Sequence, residues 1–177
     1  MGVLCVRGWW RAAAAVSAAL LLGACSGPSM GKYNIELTLA PDVASAPGGP
    51  PPISVDIVGL NDTQVGAWSG YRISRYWSPG DRLRSEAASF RVGRTFGPSS
   101  PGPQTLARTD PVWATWKQNG AMHLCVIADL PGAQSGDTDL RRIVIPLDQR
   151  RWDVETIKIT VYRSQLMCTT PWKPEPK

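Results

Sequence analysis

The sequence predicts an all-β protein, an antiparallel β-sandwich with a short helical insertion. Three observations favour this class: apolar and polar residues alternate over short stretches, proline and glycine interrupt the chain repeatedly, and long helical patterns are rare. Six or seven short strands joined by turns bury their apolar faces most simply as two packed sheets.

Two strands are predicted early in the chain. Tyr33–Leu39 alternates, with its odd-numbered residues apolar, and Ile53–Leu60 places Ile53, Val55 and Ile57 on one face. Residues 40–52 between them are rich in proline and glycine, which predicts a stiff, turn-rich connection. Asn61-Asp62 marks a turn after the second strand.

The middle of the chain is the least regular part. Tyr71–Trp77 is interpretable as a strand. Ser78 as N-cap, Pro79 at the first helical position and Asp81 in the first turn predict a short helix from Pro79 to about Phe90. A loop rich in glycine, proline and serine follows at residues 96–103.

A hairpin is predicted at the start of the second half. Val112–Gln118 and Ala121–Ala128 flank Asn119-Gly120, a pair that suits the positive φ angles of a type I′ turn. Two further alternating stretches, Ile143–Leu147 and Thr156–Tyr162, predict the remaining strands.

The N-terminus has the pattern of a bacterial lipoprotein signal. Arg7 and Arg11 precede the charge-free stretch Ala12–Ala24, which ends in Leu22-Gly23-Ala24-Cys25. We expect residues 1–24 to be removed and Cys25 to be acylated. The alternative is an ordinary secretory signal with an incidental cysteine. The expected organisation is a lipidated tether at 25–32, a β-sandwich domain at 33–168 and an extended, proline-rich tail at 169–177.

Lipidation predicts a location for the protein. Two or more acyl chains anchor a protein stably to a membrane, whereas one chain does not. By the sorting rule known for lipoproteins of Gram-negative cells, Ser26 in place of an acidic residue favours the outer membrane. We therefore expect the mature domain to be held by its lipid at the periplasmic face of the outer membrane.

Charge and cysteine usage narrow the function classes. Loss of Arg7 and Arg11 leaves 17 basic residues against 14 acidic ones, so the mature net charge is about +3 and nucleic-acid binding is not indicated. Cys5 would leave with the signal and Cys25 would carry lipid. Cys125 and Cys168 then remain as a pair, for which a disulfide is expected in an oxidising compartment. Two isolated buried thiols are the alternative.

The sequence offers little for catalysis, and we predict a protein that is not an enzyme and needs no metal or cofactor. His123 is the single histidine and falls within a predicted strand, where an ordinary hydrogen bond is expected. Asp137 and Asp139 fall in a polar loop, where we expect them to be solvated. Glycines at 93 and 97 lack the strand–loop–helix context of a phosphate-binding loop.

Arginine residues interleaved with aromatic ones indicate a partner-binding surface within residues 71–94, because exposed arginine and aromatic side chains dominate binding hot spots. The predicted contact residues are Arg72, Arg75, Tyr76, Trp77, Arg82 and Arg84. The alternative is a solvated face whose aromatic rings fill the core. A second cluster, formed by Arg141, Arg142, Arg150 and Arg151, is interpreted as protection of an exposed sheet edge.

The order of these elements resembles the outer-membrane lipoprotein of type VI secretion systems, the TssJ or SciN type. A lipobox is followed by a strand, a proline-rich link, the segment PISVDIVGL at residues 52–60, an irregular insertion, the apolar strand at 124–129 and Trp152 before the last strand. The order Arg151-Trp152 reverses the dipeptide usual in that family. The resemblance implies a transthyretin-like sandwich that recruits the periplasmic domain of an inner-membrane secretion subunit. It also implies a docking loop between early strands, expected here within residues 61–75.

A ligand-binding lipoprotein is the alternative function. It would take up a small molecule, lipid or glycan in a pocket lined by tryptophan side chains. The candidate lining residues are Trp68, Trp77, Trp113 and Trp116.

Overall fold

Within the part of the chain that the structure describes, eight short strands form two four-stranded sheets that pack face to face. The computed structural model describes residues 27–132 and 139–175, so the expected signal peptide, Cys25 and Asp137 lie outside the described residues. The strands are β1 (Asn34–Leu39), β2 (Ile53–Leu60), β3 (Arg91–Phe96), β4 (Gln104–Leu106), β5 (His123–Ala128), β6 (Arg142–Pro146), β7 (Thr156–Val161) and β8 (Leu166–Cys168). The predicted β-sandwich is confirmed.

Short helices occupy the connections. They are α1 (Pro41–Ala44), α2 (Asp62–Ser69), α3 (Ile73–Tyr76), α4 (Arg82–Glu86) and α5 (Val112–Gln118), with one 3-10 turn at Gln149–Arg151. Among the described residues, no helix has the length and hydrophobicity needed to cross a bilayer.

The first sheet has the strand order β4-β1-β7-β8. Strand β1 pairs antiparallel with β4 but parallel with β7, where Ile35 lies opposite Ile157. An antiparallel sandwich was predicted, and the parallel pair of β1 and β7 is the departure from that prediction. Parallel neighbours need a long crossover, and here the whole second sheet lies between β1 and β7 in the chain.

The second sheet has the order β3-β2-β5-β6, and all its pairs are antiparallel. Strand β2 has the predicted bounds and lies centrally, between β3 and β5. Its residues Ile53, Val55 and Ile57 face the first sheet, as the alternation predicted. Residues 54, 56, 58 and 60 point to the outer face, where Val58 and Leu60 are also buried. Both faces of β2 are covered, because helices pack on the side away from the first sheet.

Two apolar clusters result. The main core lies between the sheets and includes Ile35, Leu37, Leu124 and Val126. The outer cluster lies between the second sheet and the helical layer, which we define as α2, α3 and α4. Its buried members are Val58, Leu60, Trp68, Ile73, Tyr76, Ala87, Cys125 and Ile127.

The predicted hairpin around Asn119-Gly120 is wrong, because Val112–Gln118 is the helix α5. Asn119 has φ −81° and only Gly120 has a positive φ, at 69°. The amide of Ala121 donates to the Trp116 carbonyl at 2.9 Å and that of Gly120 to the Lys117 carbonyl at 3.1 Å. This is a Schellman motif, so the glycine ends a helix here and does not turn a hairpin.

Helix α5 closes one end of the main core with two tryptophan rings. Trp113 and Trp116 are fully buried and contact edge to face, with ring centroids 4.8 Å apart. A Cβ built on Gly59 would lie 2.5 Å from Cγ of Trp116. Only glycine allows β2 and this ring to approach so closely.

The predictions for residues 71–90 are partly wrong. Tyr71–Trp77 is not a strand, because Ile73–Tyr76 is helical and turns Ile73 and Tyr76 into the outer cluster. The next helix is shorter than predicted, and its N-cap is Asp81, whose side chain accepts a hydrogen bond from the Arg84 amide at 2.9 Å. Ser78 instead donates its hydroxyl to the Ser74 carbonyl.

Candidate functional site

A buried carboxylate anchors the helical layer to the second sheet. Asp56 projects from the outer face of β2 and is 1% exposed. Its oxygens accept hydrogen bonds from the Tyr76 hydroxyl at 3.0 Å, from Arg84 Nε at 2.9 Å and from Arg91 Nη1 at 2.6 Å. A carboxylate is buried at tolerable cost only when it is paired and hydrogen-bonded in this way. The three donors fix α3, α4 and β3 relative to β2.

Two aromatic rings complete this anchor. The Arg84 guanidinium lies 4.5 Å from the centroid of the Trp77 ring and 5.9 Å from that of Tyr76, which is within cation–π distance. Burial, followed by the nearby Asp56, raises the pKa of the Tyr76 hydroxyl. That hydroxyl therefore stays protonated and remains a donor.

The predicted contact residues divide into three groups. Arg72, Arg75 and Arg82 are exposed, and we call these three residues the arginine face. Trp77 and Arg84 are half-buried beside them. Tyr76 is fully buried, so its prediction as a contact residue is wrong: its ring packs against Trp68, and its hydroxyl is used by Asp56.

The arginine face carries charges that water and partners reach. Arg82 pairs with Glu86 at 2.6 Å on the outside of α4, and Nε of Arg75 lies 3.9 Å from an Asp81 oxygen. The Arg82–Glu86 pair is exposed on both sides, and pairs of this kind contribute little to folding stability. Their side chains are therefore free to exchange solvent for a binding partner.

The predicted disulfide does not form, and Cys125 and Cys168 are free thiols. Cys125 belongs to the outer cluster, on the face of β5 that points away from the first sheet. Cys168 lies on β8, at the edge of the first sheet, and packs against the main core. The second sheet separates the two sulfurs. Burial raises the pKa of the Cys125 thiol to about 12 and also raises the pKa of Cys168.

The four tryptophans predicted to line a ligand pocket are divided between the two apolar clusters. Trp113 and Trp116 fill the main core, and their indole nitrogens donate to the carbonyls of Ala107 and Phe90 at 2.9 and 2.7 Å. Trp68 lies in the outer cluster with Trp77 packed at its margin. These residues therefore serve packing and do not form a shared pocket.

The second arginine cluster is more buried than an edge-protecting role requires. Arg142 lies on the edge strand β6, but it is buried and donates to the carbonyls of Tyr71 and Ser69, which joins β6 to the helical layer. Arg141 forms a two-pronged pair with Asp139, at 2.9 and 2.6 Å. The prediction that Asp139 is solvated is wrong. Burial alone would raise the pKa of Asp139, but hydrogen bonds from Arg141 outweigh burial and lower it.

The single histidine pairs with one surface carboxylate and, among the described residues, does not form part of a catalytic triad. His123 begins β5, and its Nε2 lies 2.9 Å from Oδ1 of Asp62 at the start of α2. No group of three or more potential metal-ligating side chains occurs in residues 27–132 and 139–175.

A cleft at the end of the sandwich was not predicted from the sequence. It measures about 310 Å³ and is mostly apolar, with Val43, Ile53 and Leu130 among its lining residues. The proline-rich connection at residues 40–52 forms one wall, and an ion pair between Asp42 and Arg163, at 3.0 Å, crosses its rim. The only feature of the sequence that could have indicated this cleft was the concentration of proline in the connection at residues 40–52.

Sequence comparison alone identifies no relative: neither a protein-family model nor a curated protein matches the chain. A solved structure does, described as "T6SS protein TssM C-terminal domain (869-1107) from EAEC". It is 15% identical, with a TM-score of 0.54, and the match covers 77% of this chain and 98% of that chain. The two chains share a fold.

Two further solved structures are matched less closely. One is Lip of Serratia marcescens, described as a membrane bound component of the Type VI Secretion System; it is 18% identical over 78% of this chain and 97% of that chain, with a TM-score of 0.47. The other is the T6SS lipoprotein TssJ1 from Pseudomonas aeruginosa, 16% identical over 84% of this chain and all of that chain, with a TM-score of 0.45. The resemblance to type VI secretion components drawn from the sequence is confirmed at the level of the fold by the match to the TssM domain.

Proposed function

We propose that this protein is an outer-membrane-anchored periplasmic lipoprotein that acts as a docking component of an envelope-spanning secretion assembly of the type VI kind. The observation that carries the proposal is the shared fold, which extends over 98% of the matched type VI chain. The lipobox at residues 22–25 supports the anchor. A structural role agrees with the buried charged side chains of the described residues. Asp56, Arg141 and Arg142 form ion pairs or hydrogen bonds that join one element of the fold to another or hold a loop.

The partner is a periplasmic domain of an inner-membrane secretion subunit. Its proposed contact surface is the arginine face with the neighbouring Trp77. Guanidinium groups in this setting suit carboxylates on a partner, and the half-buried indole supplies an apolar contact beside them. Arg84 and Tyr76 act behind this surface by holding α3 and α4 on β2.

The anchor is tested by metabolic labelling with a palmitate analogue. We expect label in the wild-type protein and co-sedimentation with outer membranes. Cys25→Ser should abolish both while leaving the fold unchanged. Labelling that persists in Cys25→Ser, or its absence in the wild type, would contradict the lipid anchor.

The contact surface is tested by charge reversal. Arg72→Glu with Arg82→Glu should reduce capture of the partner domain at least tenfold, because it places acidic groups where the partner's carboxylates would lie. Arg108→Glu with Lys117→Glu is the matched control, since it makes the same change in net charge at exposed positions outside the helical layer. Equal capture by both double variants would exclude the arginine face.

The cleft provides a second site to compare. The docking loop that the resemblance implies was expected within residues 61–75, whereas the β1–β2 connection forms a wall of the cleft. Pro51→Asp changes an exposed residue of that wall. If Pro51→Asp abolishes capture and the arginine variants do not, the partner docks at the cleft.

A further inference from the structure

Residues 29–31 of the N-terminal tether are fixed to one end of the sandwich. Ser29 accepts a hydrogen bond from the Gln149 amide at 3.0 Å, and Gly31 donates to the Leu147 carbonyl at 2.7 Å. Met30 forms an isolated bridge with Asp148. The chain is therefore held to the folded body from Ser29 onward.

Ser29 is only four residues further along the chain than Cys25. A fully extended chain of that length reaches about 14 Å at most. An acylated Cys25 would place its acyl chains in a bilayer, so the end of the sandwich at Ser29 must stay close to the headgroups. A long flexible linker would allow the sandwich to rotate freely above the membrane, whereas a tether this short restricts that rotation.

Exposed apolar side chains lie at this same end. Trp172 is 41% exposed, and its ring lies 5.7 Å from that of Trp152. Val154, 40% exposed, lies with Trp152, Met30 and Lys32 around a shallow depression of about 460 Å³. We call Lys32, Trp152, Val154 and Trp172 the anchor-end face.

The C-terminal segment is held in place, so Trp172 has a defined position. The Lys173 amide donates to the Arg151 carbonyl at 2.8 Å, and Arg151 Nε donates to the Lys173 carbonyl at 2.5 Å. The Lys173 ammonium pairs with Asp153 at 2.6 Å. These bonds keep the indole against Trp152, with its outer surface in solvent.

The charges around the anchor-end face are mostly paired. Arg108 binds Glu155 at 2.8 Å and Arg150 binds Asp148 at 2.6 Å. The face therefore presents an exposed indole and aliphatic groups within a rim of paired charges. Tryptophan with an apolar body and a polar N–H is enriched where proteins meet the headgroup region of a bilayer.

We propose that the anchor-end face rests on the phospholipid headgroups of the membrane that holds the acylated Cys25, with Trp172 inserted at the interface. This inference rests on the lipid anchor of the proposed function. The short tether sets the distance, and the exposed indole and Val154 provide the contact.

A fixed orientation follows from this contact. Strand β2 runs from Ile53, at the cleft, to Leu60, whose carbonyl accepts a hydrogen bond from Met122 at the anchor end. Eight residues of strand place the two ends about 23 Å apart. The cleft then faces away from the membrane, into the periplasm.

The experiment uses the full lipidated protein in vesicles of phosphatidylethanolamine and phosphatidylglycerol that contain a brominated phosphatidylcholine. Bromine near the interface quenches tryptophan emission at short range. We expect measurable quenching of the wild type, loss of at least half of it in Trp172→Phe, and unchanged quenching in Trp77→Phe. Trp77→Phe is the matched control because it removes one indole from the helical layer, outside the anchor-end face.

Flotation of the same vesicles distinguishes failure of the membrane contact from failure of the lipid anchor. Protein that floats without quenching, or quenching that Trp172→Phe leaves intact, would overturn the membrane contact while the lipid anchor stands. Protein that does not float would contradict the lipid anchor and, with it, this proposal.

Discussion

Arg84 donates a hydrogen bond from Nε to Oδ2 of the buried Asp56, at 2.9 Å, and so joins a surface helix to the central strand of the second sheet. The arginine segment thus has two roles within a few residues. Arg84 is part of the scaffold, whereas Arg72, Arg75 and Arg82 are exposed. A variant intended to test partner binding must therefore avoid Arg84.

We predict that Asp56→Ala destabilises the protein by about 3 kcal/mol, because it leaves two arginines and a tyrosine hydroxyl without their buried acceptor. Urea unfolding followed by tryptophan fluorescence measures the change. Asp153→Ala is the control, since its side chain is 73% exposed and its ion pair should contribute less than about 1 kcal/mol. Similar losses in both variants would contradict the anchoring role of Asp56.

Two glycine substitutions should have opposite effects. Gly59→Ala forces a methyl group into the Trp116 ring and should cost about 1–3 kcal/mol. Gly66→Ala lies in α2 with open space around its Cβ and should stabilise the protein by up to about 1 kcal/mol. Thermal unfolding compares the two, and a neutral Gly59→Ala would show that β2 and α5 do not pack this closely.

The two thiols should react at different rates. Cys125 is fully buried and has a pKa of about 12, so we expect no reaction with a thiol reagent at about pH 8 until the protein unfolds. Cys168 is partly exposed and should react slowly in the native state. Intact mass after alkylation, without a reductant, reports the result. A protein that takes up no label even when unfolded would show that the cysteines are oxidised.

Acid should weaken the fold partly through Asp139. The pKa of Asp139 is lowered in the folded state, so the unfolded chain binds its proton first as the pH falls. The pair with Arg141 thus stabilises the protein above about pH 4, and this contribution is lost as the pH falls through the folded-state pKa.

Asp139→Asn should therefore lose less stability than the wild type between about pH 6 and pH 3. Unfolding midpoints in urea at the two pH values provide the comparison. A wild type and variant with the same acid dependence would show that the pair does not titrate as described.

The sequence predicted strands well where alternation was uninterrupted. Ile53–Leu60 was located to the residue, and β1, β5 and β7 within one or two. Successive side chains of a strand point to opposite faces of the sheet, so the alternation is a direct result of side-chain geometry. The dipeptide Asn119-Gly120 gave a wrong hairpin prediction because the same two residues suit a helix end as well as a hairpin turn. The apolar spacing of Val112, Trp113 and Trp116 was the helical signal that should have decided between them.

The candidate site was only partly accessible to sequence reasoning. An arginine and a buried carboxylate distant in sequence, such as Arg84 and Asp56, leave no local pattern that marks them as a pair. Exposure also depends on how α3 lies on the sheet, which is why Tyr76 could not be separated from Trp77. The disulfide was inferred from compartment and count, and neither of these specifies which face of a strand a cysteine occupies.

The most direct test of the docking role is affinity purification of the lipidated protein from native membranes in mild detergent, with mass spectrometry of what is recovered. The account predicts an inner-membrane secretion subunit in a constant molar ratio, and its loss when the bait carries Arg72→Glu and Arg82→Glu. Recovery of the protein alone, or with only a small molecule, would contradict the docking role.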